Sequence, residues 1–514
     1  MSTESHELRR WLAAGAQALA RARQKLDDIN VFPVPDSDTG TNMYLTVQEG
    51  NRAVAKLSAT ASHREVVAAF ARGALLGARG NSGVILSQYL SALLRAIDEH
   101  GGVSAVSPLG LASALREGAD AAYGAVGEPV EGTMLSVARR AAEGAERAAS
   151  VKAAARTDVM MAAVMSARAE LHDTYESLPA AFAAGVVDAG GAGLLLQLEM
   201  LAETIVGPGA VEALGEVAWE LAPSKRGSVT VQPANRHHGG AYEVMFVTRV
   251  ENTRAALDAE RKALSDGLRE LGDSVAVTGT HGLVQAHVHT DDVDGAVDLG
   301  IAHHARQIVV TSLLLGNGTE DRHSPNAGGT GMVALTACPG VASSLADAGA
   351  MVLVIPNAAT LAPKDVRRAV RDVSGRGVVV AAGSPQLRLA AREAVAKKSL
   401  AHVTVLDAHH EAHVVAAIAA GATATPGEPI AQVMAAAVQR CVVGQSSPDA
   451  LDDDIDRLLD SRTEVVTLIM AEGIPHGVAD AVRLSAAAVS PGADVLVLNG
   501  RHHHPPILLG VERA

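Results

Sequence analysis

At 514 residues the chain is long for one domain and comfortable for three, so burying a core is no obstacle. Its formal charge of −14 argues against a general binder of nucleic acid or of acidic membranes, and Cys338 and Cys441 are too few for a disulfide framework or a four-thiolate metal site. Apolar residues make up 48% and aromatics only 2%, which predicts Ala-, Val- and Leu-built cores, while the lack of a signal-like start or a bilayer-length apolar run predicts a cytoplasmic protein without membrane insertion.

From Glu4 to Lys25 apolar residues recur at helical spacing through Leu8, Trp11, Leu12, Leu19 and Ala22, predicting an amphipathic helix. It feeds the run Asn30-Val31-Phe32-Pro33-Val34-Pro35-Asp36-Ser37-Asp38-Thr39-Gly40-Thr41-Asn42-Met43. Pro33 and Pro35 stiffen this loop. Asp36 and Asp38 stand one residue apart, and paired hard oxygens at that spacing suit Mg²⁺, which keeps some waters and binds phosphate oxygens with the rest. An Asp-Ser-Asp-Thr-Gly segment alone also fits an ordinary polar turn.

Three further glycine-flanked junctions precede apolar helices. Gly80-Asn81-Ser82-Gly83 follows a helix over Val66 to Ala78 and opens one running to Glu99, with Asn81 or Ser82 as its expected N-cap. Glu131-Gly132-Thr133-Met134 opens a helix to Ala149 capped by Thr133, and Asp188-Ala189-Gly190-Gly191-Ala192-Gly193 opens another. Helix N-termini carry partial positive charge, so several converging ends can hold a polyphosphate without a Walker loop, and this chain has none.

The acidic run resembles the Asn-Val-Phe-Pro-Val-Pro-Asp-Gly-Asp-Thr-Gly-Thr-Asn-Met signature of the DAK2 (DhaL-like) domain in fatty-acid kinase A subunits, and the other junctions resemble that family's nucleotide-binding segments in the same order. Ser37 stands where the family has glycine; if that glycine serves a positive φ, Ser37 is strained. The resemblance implies a barrel of antiparallel helices holding Mg-ATP at one end. Asp36 and Asp38 then ligate magnesium and are the catalytic pair, with Asn30 as a third oxygen ligand. Thr41, Asn42, Asn81, Ser82, Gly132, Thr133, Met134, Asp188 and Gly190 line the nucleotide.

Composition shifts after Val211, and a polar, turn-rich stretch at 222–240 reads as a linker closing a first domain of 1–221. Over 241–320, strands at Tyr242–Val250, Ser274–Thr278, Leu283–His289 and Ile308–Leu315 alternate with helices at Thr253–Leu271 and Val293–Arg306, in the β-α-β-β-α-β order of a ferredoxin-like α+β unit. His287 and His289 fall on one face of a strand, a workable zinc geometry with further ligands from elsewhere, or else a hydrogen-bonded pair. Family members carry a similar His-Val-His-Thr run, and some place a cysteine on the first strand; Glu243 stands near that position here.

A second loop is expected over 321–331. From 330 to 514 short β-rich runs alternate with helices, the pattern of a doubly wound α/β domain with a mostly parallel sheet. Its position resembles the DegV-like C-terminal region of the fatty-acid kinases. His409-His410-Glu411 and His502-His503-His504 read as exposed surface histidines.

The resemblance implies an ATP- and Mg²⁺-dependent kinase subunit that phosphorylates the carboxylate of a fatty acid presented by a DegV-type carrier protein, working as a homodimer. Phosphorylation of dihydroxyacetone or another small polyol, and non-catalytic nucleotide binding by a regulator, are the alternatives.

Overall fold

The computed structural model describes residues 3–33, 37–221, 240–314, 330–373, 377–396, 400, 402–425, 427–475 and 477–514. Those residues divide into two compact units, Met1–Gly239 with Arg249–His289, and Gly240–Thr248 with Thr290–Ala514.

The first unit opens with nine helices: α1 (Thr3–Asp28), α2 (Thr39–Val54), α3 (His63–Gly77), α4 (Gly80–Glu99), α5 (Pro108–Tyr123), α6 (Met134–Ala149), α7 (Arg156–Ser177), the short α8 (Pro179–Ala184) and α9 (Ala189–Ile205). Successive helices pack on one another, and α9 closes back onto α1, α2, α6 and α7. One continuous core fills the centre, with Trp11, Phe70 and Tyr89 as its large anchors and alanines such as Ala74, Ala138, Ala141 and Ala163 between them. Alanine at these contacts lets helix backbones approach closely, which is how so few aromatics suffice. Ser62, Ser107, Thr133 and Asp188 each accept a backbone N–H at the start of a helix.

The elements that follow are β1 (Tyr242–Arg249), α10 (Arg254–Leu271), β2 (Gly272–Thr280), β3 (Leu283–Thr290), α11 (Val293–Ala302) and β4 (Ile308–Ser312), in the expected β-α-β-β-α-β order. Within the first unit, Ala276 of β2 bridges to Val126, and the Gln285 side-chain N–H₂ of β3 donates to the Ala78 carbonyl at 3.0 Å.

The second unit continues with β5 (Thr330–Thr336), α12 (Ala342–Asp347), β6 (Ala350–Val354), α13 (Pro363–Asp372), β7 (Gly377–Ala382), α14 (Pro385–Val395), β8 (Val403–Val405), α15 (Glu411–Ala422), α16 (Ile430–Arg440), β9 (Cys441–Ser446), α17 (Leu451–Leu458), β10 (Thr463–Met470), α18 (Gly477–Val489), β11 (Asp494–Asn499) and β12 (Ile507–Arg513). Strands β6, β5, β7 and β8 lie side by side and parallel, with β4 antiparallel against β6.

Two expectations fail here. The C-terminal part is not one mostly parallel sheet: β11, β10, β12 and β9 form a separate four-stranded sheet in which β12 runs antiparallel to both neighbours. The histidine runs are also not uniformly exposed, because His410, Glu411, His413 and His502 are buried while His409, His503 and His504 are not. Both cysteines are free and buried. The expected linker at 222–240 lies outside the described residues except for Gly240, as does the 321–331 loop except for Thr330 and Gly331, which belong to β5. No described helix is long and apolar enough to cross a membrane.

Candidate nucleotide and metal site

The four glycine-flanked junctions lie next to one another at one end of the helical unit. At Gly80, the first residue of α4, φ is +54°, and the Asn42 side chain of α2 occupies the space a Cβ would need, so only glycine fits. Asn42 also anchors Thr46, whose hydroxyl donates to the Asn42 carbonyl at 2.7 Å and accepts the Arg79 N–H at 3.3 Å. The start of α2 is thereby held against the start of α4. Gly193, one turn into α9, packs so closely on Met43 of α2 that a side chain there would collide with it. The Asp188 carboxylate, at the N-cap of α9, accepts the Gly191 N–H at 2.6 Å and also the backbone N–H of Met134, where α6 begins. The starts of α4, α2, α9 and α6 are thus linked in series by residues of the motifs themselves.

The predicted residues divide by what they touch. Asp36 lies outside the described residues. Asp38 is the N-cap of α2, yet its side chain makes no capping hydrogen bond. Asp27, at the end of α1, does that work from outside: it accepts the Thr41 N–H at 2.9 Å and the Thr41 hydroxyl at 2.7 Å. Arg23 completes the group by donating to the Thr41 hydroxyl oxygen at 2.8 Å, so Thr41 faces α1. Burial raises the Asp27 carboxyl above its ordinary range although the Thr41 hydrogen bonds oppose this. Asn30 is buried just beyond α1, its N–H donating to the Asp27 carbonyl. Asp27 was not among the residues expected here. Its one sequence signal is a carboxylate in the last turn of a helix, where the dipole disfavours negative charge and a specific partner is needed.

Asn81 and Ser82 are not the cap of α4. The helix begins at Gly80 after Arg79, and both residues sit in the first turn. The Asn81 side-chain oxygen is buried with no hydrogen-bond partner among the described residues. Such an atom is costly unless a ligand or water meets it. Thr133 caps α6 as expected, accepting the Leu135 N–H at 3.3 Å and donating to the Val130 carbonyl at 2.7 Å.

Around that cap Glu131 gathers three partners. The Arg139 guanidinium reaches both of its oxygens at 2.6 Å, the Ser136 hydroxyl donates at 2.6 Å and the Tyr123 hydroxyl at 3.0 Å. Arg139 holds the Glu131 carboxyl below its usual range, while partial burial and the bond to Glu131 push the Tyr123 hydroxyl up to about 12. Ser136 in turn accepts the Gly132 N–H at 2.8 Å, fixing the backbone turn before Thr133 and Met134. Asp188 is fully enclosed, and burial raises its carboxyl to about 6 against the Gly191 and Met134 N–H groups. It therefore faces inward and ties helix ends together, and Gly190 beside it lies against Met134.

His287 and His289 share a face of β3, both buried, with ring centres 4.9 Å apart. Both imidazoles belong to the first unit, and two histidines on one strand face are residue types that ligate zinc.

Residues 33–203 match the DAK2 domain family, and residues 239–313 match the FakA-like middle-domain family of fatty acid kinases. Protein YloV of Bacillus subtilis is 32% identical over 410 residues, covering 74% of this chain and 70% of the relative. An uncharacterised protein of Staphylococcus haemolyticus is 36% identical over 284 residues, and another from Staphylococcus saprophyticus 34% over 290, each match covering 54% of this chain and 49% of the relative. A crystal structure of the dihydroxyacetone kinase from C. freundii in complex with AMP-PNP and Mg²⁺ aligns over 40% of this chain and 34% of that one, with 18% identity and a TM-score of 0.28, too little to carry an argument. On its two domain matches and its likeness to Protein YloV, the chain belongs to the DAK2-domain family of the type that carries a FakA-like fatty acid kinase middle domain.

Proposed function

We propose that this chain is an ATP- and Mg²⁺-dependent kinase subunit that transfers the γ-phosphoryl group to the carboxylate of a fatty acid presented by a DegV-type carrier. The observation that carries the reading is the series of four linked helix N-termini, α4, α2, α9 and α6, with Asp38 at the head of one of them. Partial positive charge at those ends suits a polyphosphate. Asp38 at the head of α2 and Asp36, one residue before Ser37, are the metal ligands. Asp36 and Asp38 would hold magnesium there, which would neutralise phosphate charge for the transfer. Asn81 supplies an acceptor and Asn42 braces the α2–α4 junction; the Glu131–Arg139 pair orients the backbone at Thr133 and Met134, and Asp188 with Gly190 holds α9 against them.

An ionised acyl carboxylate needs no proton removed, so this transfer requires no general base. In this reading residues 1–221 form the ATP domain, 241–320 a ferredoxin-like unit and 330–514 a DegV-like domain, assembled as a cytoplasmic homodimer. His287 and His289 hold zinc, outside the ATP site. The test is ATP consumption by the purified chain with fatty acid and candidate carrier proteins, compared with dihydroxyacetone as acceptor. Acyl phosphate formed only with carrier present is the expected result; turnover with dihydroxyacetone alone would move the assignment to a polyol kinase.

A further inference from the structure

In the second unit the chain leaves β5 for α12 and β6 on one side, then crosses to β7 on the other. Helices α13 and α14 pack with the core on one face of these strands, while α12 packs with α15. The carboxyl ends of β5 and β7 are therefore a topological switch point, the place where open α/β sheets receive ligands. Three features of such a receptor are present there. Thr336, the last residue of β5, turns its hydroxyl into the crevice, the next residue, Ala337, offers its backbone N–H, and Gly383, directly after β7, leaves the floor open.

The crevice is filled from within. Glu411, the first residue of α15 and only 5% exposed, places its carboxylate in it. One oxygen accepts the Thr336 hydroxyl at 2.7 Å, the other accepts the Ala337 N–H at 2.8 Å, and the group lies so close over Gly383 that any Cβ there would strike it. Thr336 is itself held by the chain, since its hydroxyl oxygen also accepts the Cys338 N–H at 3.0 Å. Among the described residues no cation is paired with Glu411, so two neutral donors and a glycine floor do all the binding, as in a site for a small carboxylate.

We infer that the switch point of the second unit is a carboxylate receptor occupied by the protein's own Glu411 side chain. The receptor does not depend on the tether. Cutting the side chain back to Cβ removes a CH₂–carboxyl group, which matches acetate in size, and leaves Thr336 and Ala337 with unpaired donors. Free acetate then takes the place of Glu411.

The experiment uses the full chain and does not involve the kinase reaction, so its outcome is separate from that of the proposed function. Thermal unfolding of Glu411→Ala is compared with wild type in acetate, formate, butyrate and chloride at equal ionic strength. Acetate in excess raises the Tm of Glu411→Ala by about 2–4 °C over chloride, saturably, while wild type shifts equally little in both salts. Butyrate is too long and does not match acetate. Adding Thr336→Val to Glu411→Ala removes the acetate effect. Equal shifts in acetate and chloride overturn the inference. If Glu411→Ala is insoluble, refolding from denaturant replaces the melt: recovery dependent on acetate supports the receptor, and equal failure in acetate and chloride overturns it.

Discussion

Asp27 of α1 receives both the backbone N–H and the hydroxyl of Thr41 in the first turn of α2, at 2.9 and 2.7 Å. A residue from one helix thereby caps another, and the N-cap residue proper, Asp38, contributes no side-chain cap. Two carboxylates in one small region have separate tasks, and substitution should separate them.

Asp27→Ala leaves the first amides of α2 unpaired and should lower stability by about 1–2 kcal/mol, read from the urea midpoint. Asp38→Asn should hold stability within about 0.5 kcal/mol and reduce phosphoryl transfer by about 100-fold or more. A stability loss in Asp38→Asn equal to that in Asp27→Ala would contradict this division of labour.

Ser37 has φ +56°, the left-handed conformation that L-residues adopt at a cost of about 1 kcal/mol. The glycine of the family signature is therefore a conformational requirement that Ser37 meets under strain. Ser37→Gly should raise stability by about 0.5–1 kcal/mol, the relief being partly offset by glycine's greater freedom when unfolded. A destabilised Ser37→Gly variant would show that the serine side chain contributes more than its backbone costs.

Burial raises the Asp188 carboxyl from its ordinary 3.8 to about 6. A carboxyl raised on folding contributes stability that is complete below about pH 4 and is lost as pH rises through 6. Asp188→Asn stays neutral throughout. Its stability relative to wild type should therefore improve by about 2–3 kcal/mol between pH 4 and pH 7. Parallel stability curves for the two proteins over that range would place the Asp188 titration elsewhere.

For the His287 and His289 pair of β3, zinc reconstitution should add one equivalent that His287→Ala abolishes. A site built on two imidazoles should also release its metal on mild acidification, because protonated imidazole cannot ligate. Elemental analysis after gel filtration at about pH 7.5 and 5.5 measures both. Wild-type protein with no zinc after reconstitution would leave the histidines as a buried pair.

Much of the first unit is written locally. Apolar spacing, Ser, Thr and Asp caps and glycine junctions are short-range signals, so α3, α6 and α9 begin at or within a few residues of where the sequence places them. The strand position of His287 and His289 follows in the same way from the two-residue period of β structure. What only the tertiary structure decided involves partners distant in the chain. Asp27 meets Thr41 because α1 and α2 pack side by side, and Gly80 sets the start of α4 through its contact with Asn42 of α2 rather than through any cap of its own. Strands β9 and β12 pair across about sixty residues of intervening chain, so their antiparallel sheet has no local signature. Polarity predicted exposure for His410, Glu411 and His502, whereas burial depends on where hydrogen-bond donors and acceptors end up: Thr336 and Ala337 pair Glu411, Ala412 donates to His410, and the Pro505 carbonyl meets His502. Helix starts and strand faces are properties of a few consecutive residues, while the satisfaction of a buried polar group is a property of the whole fold.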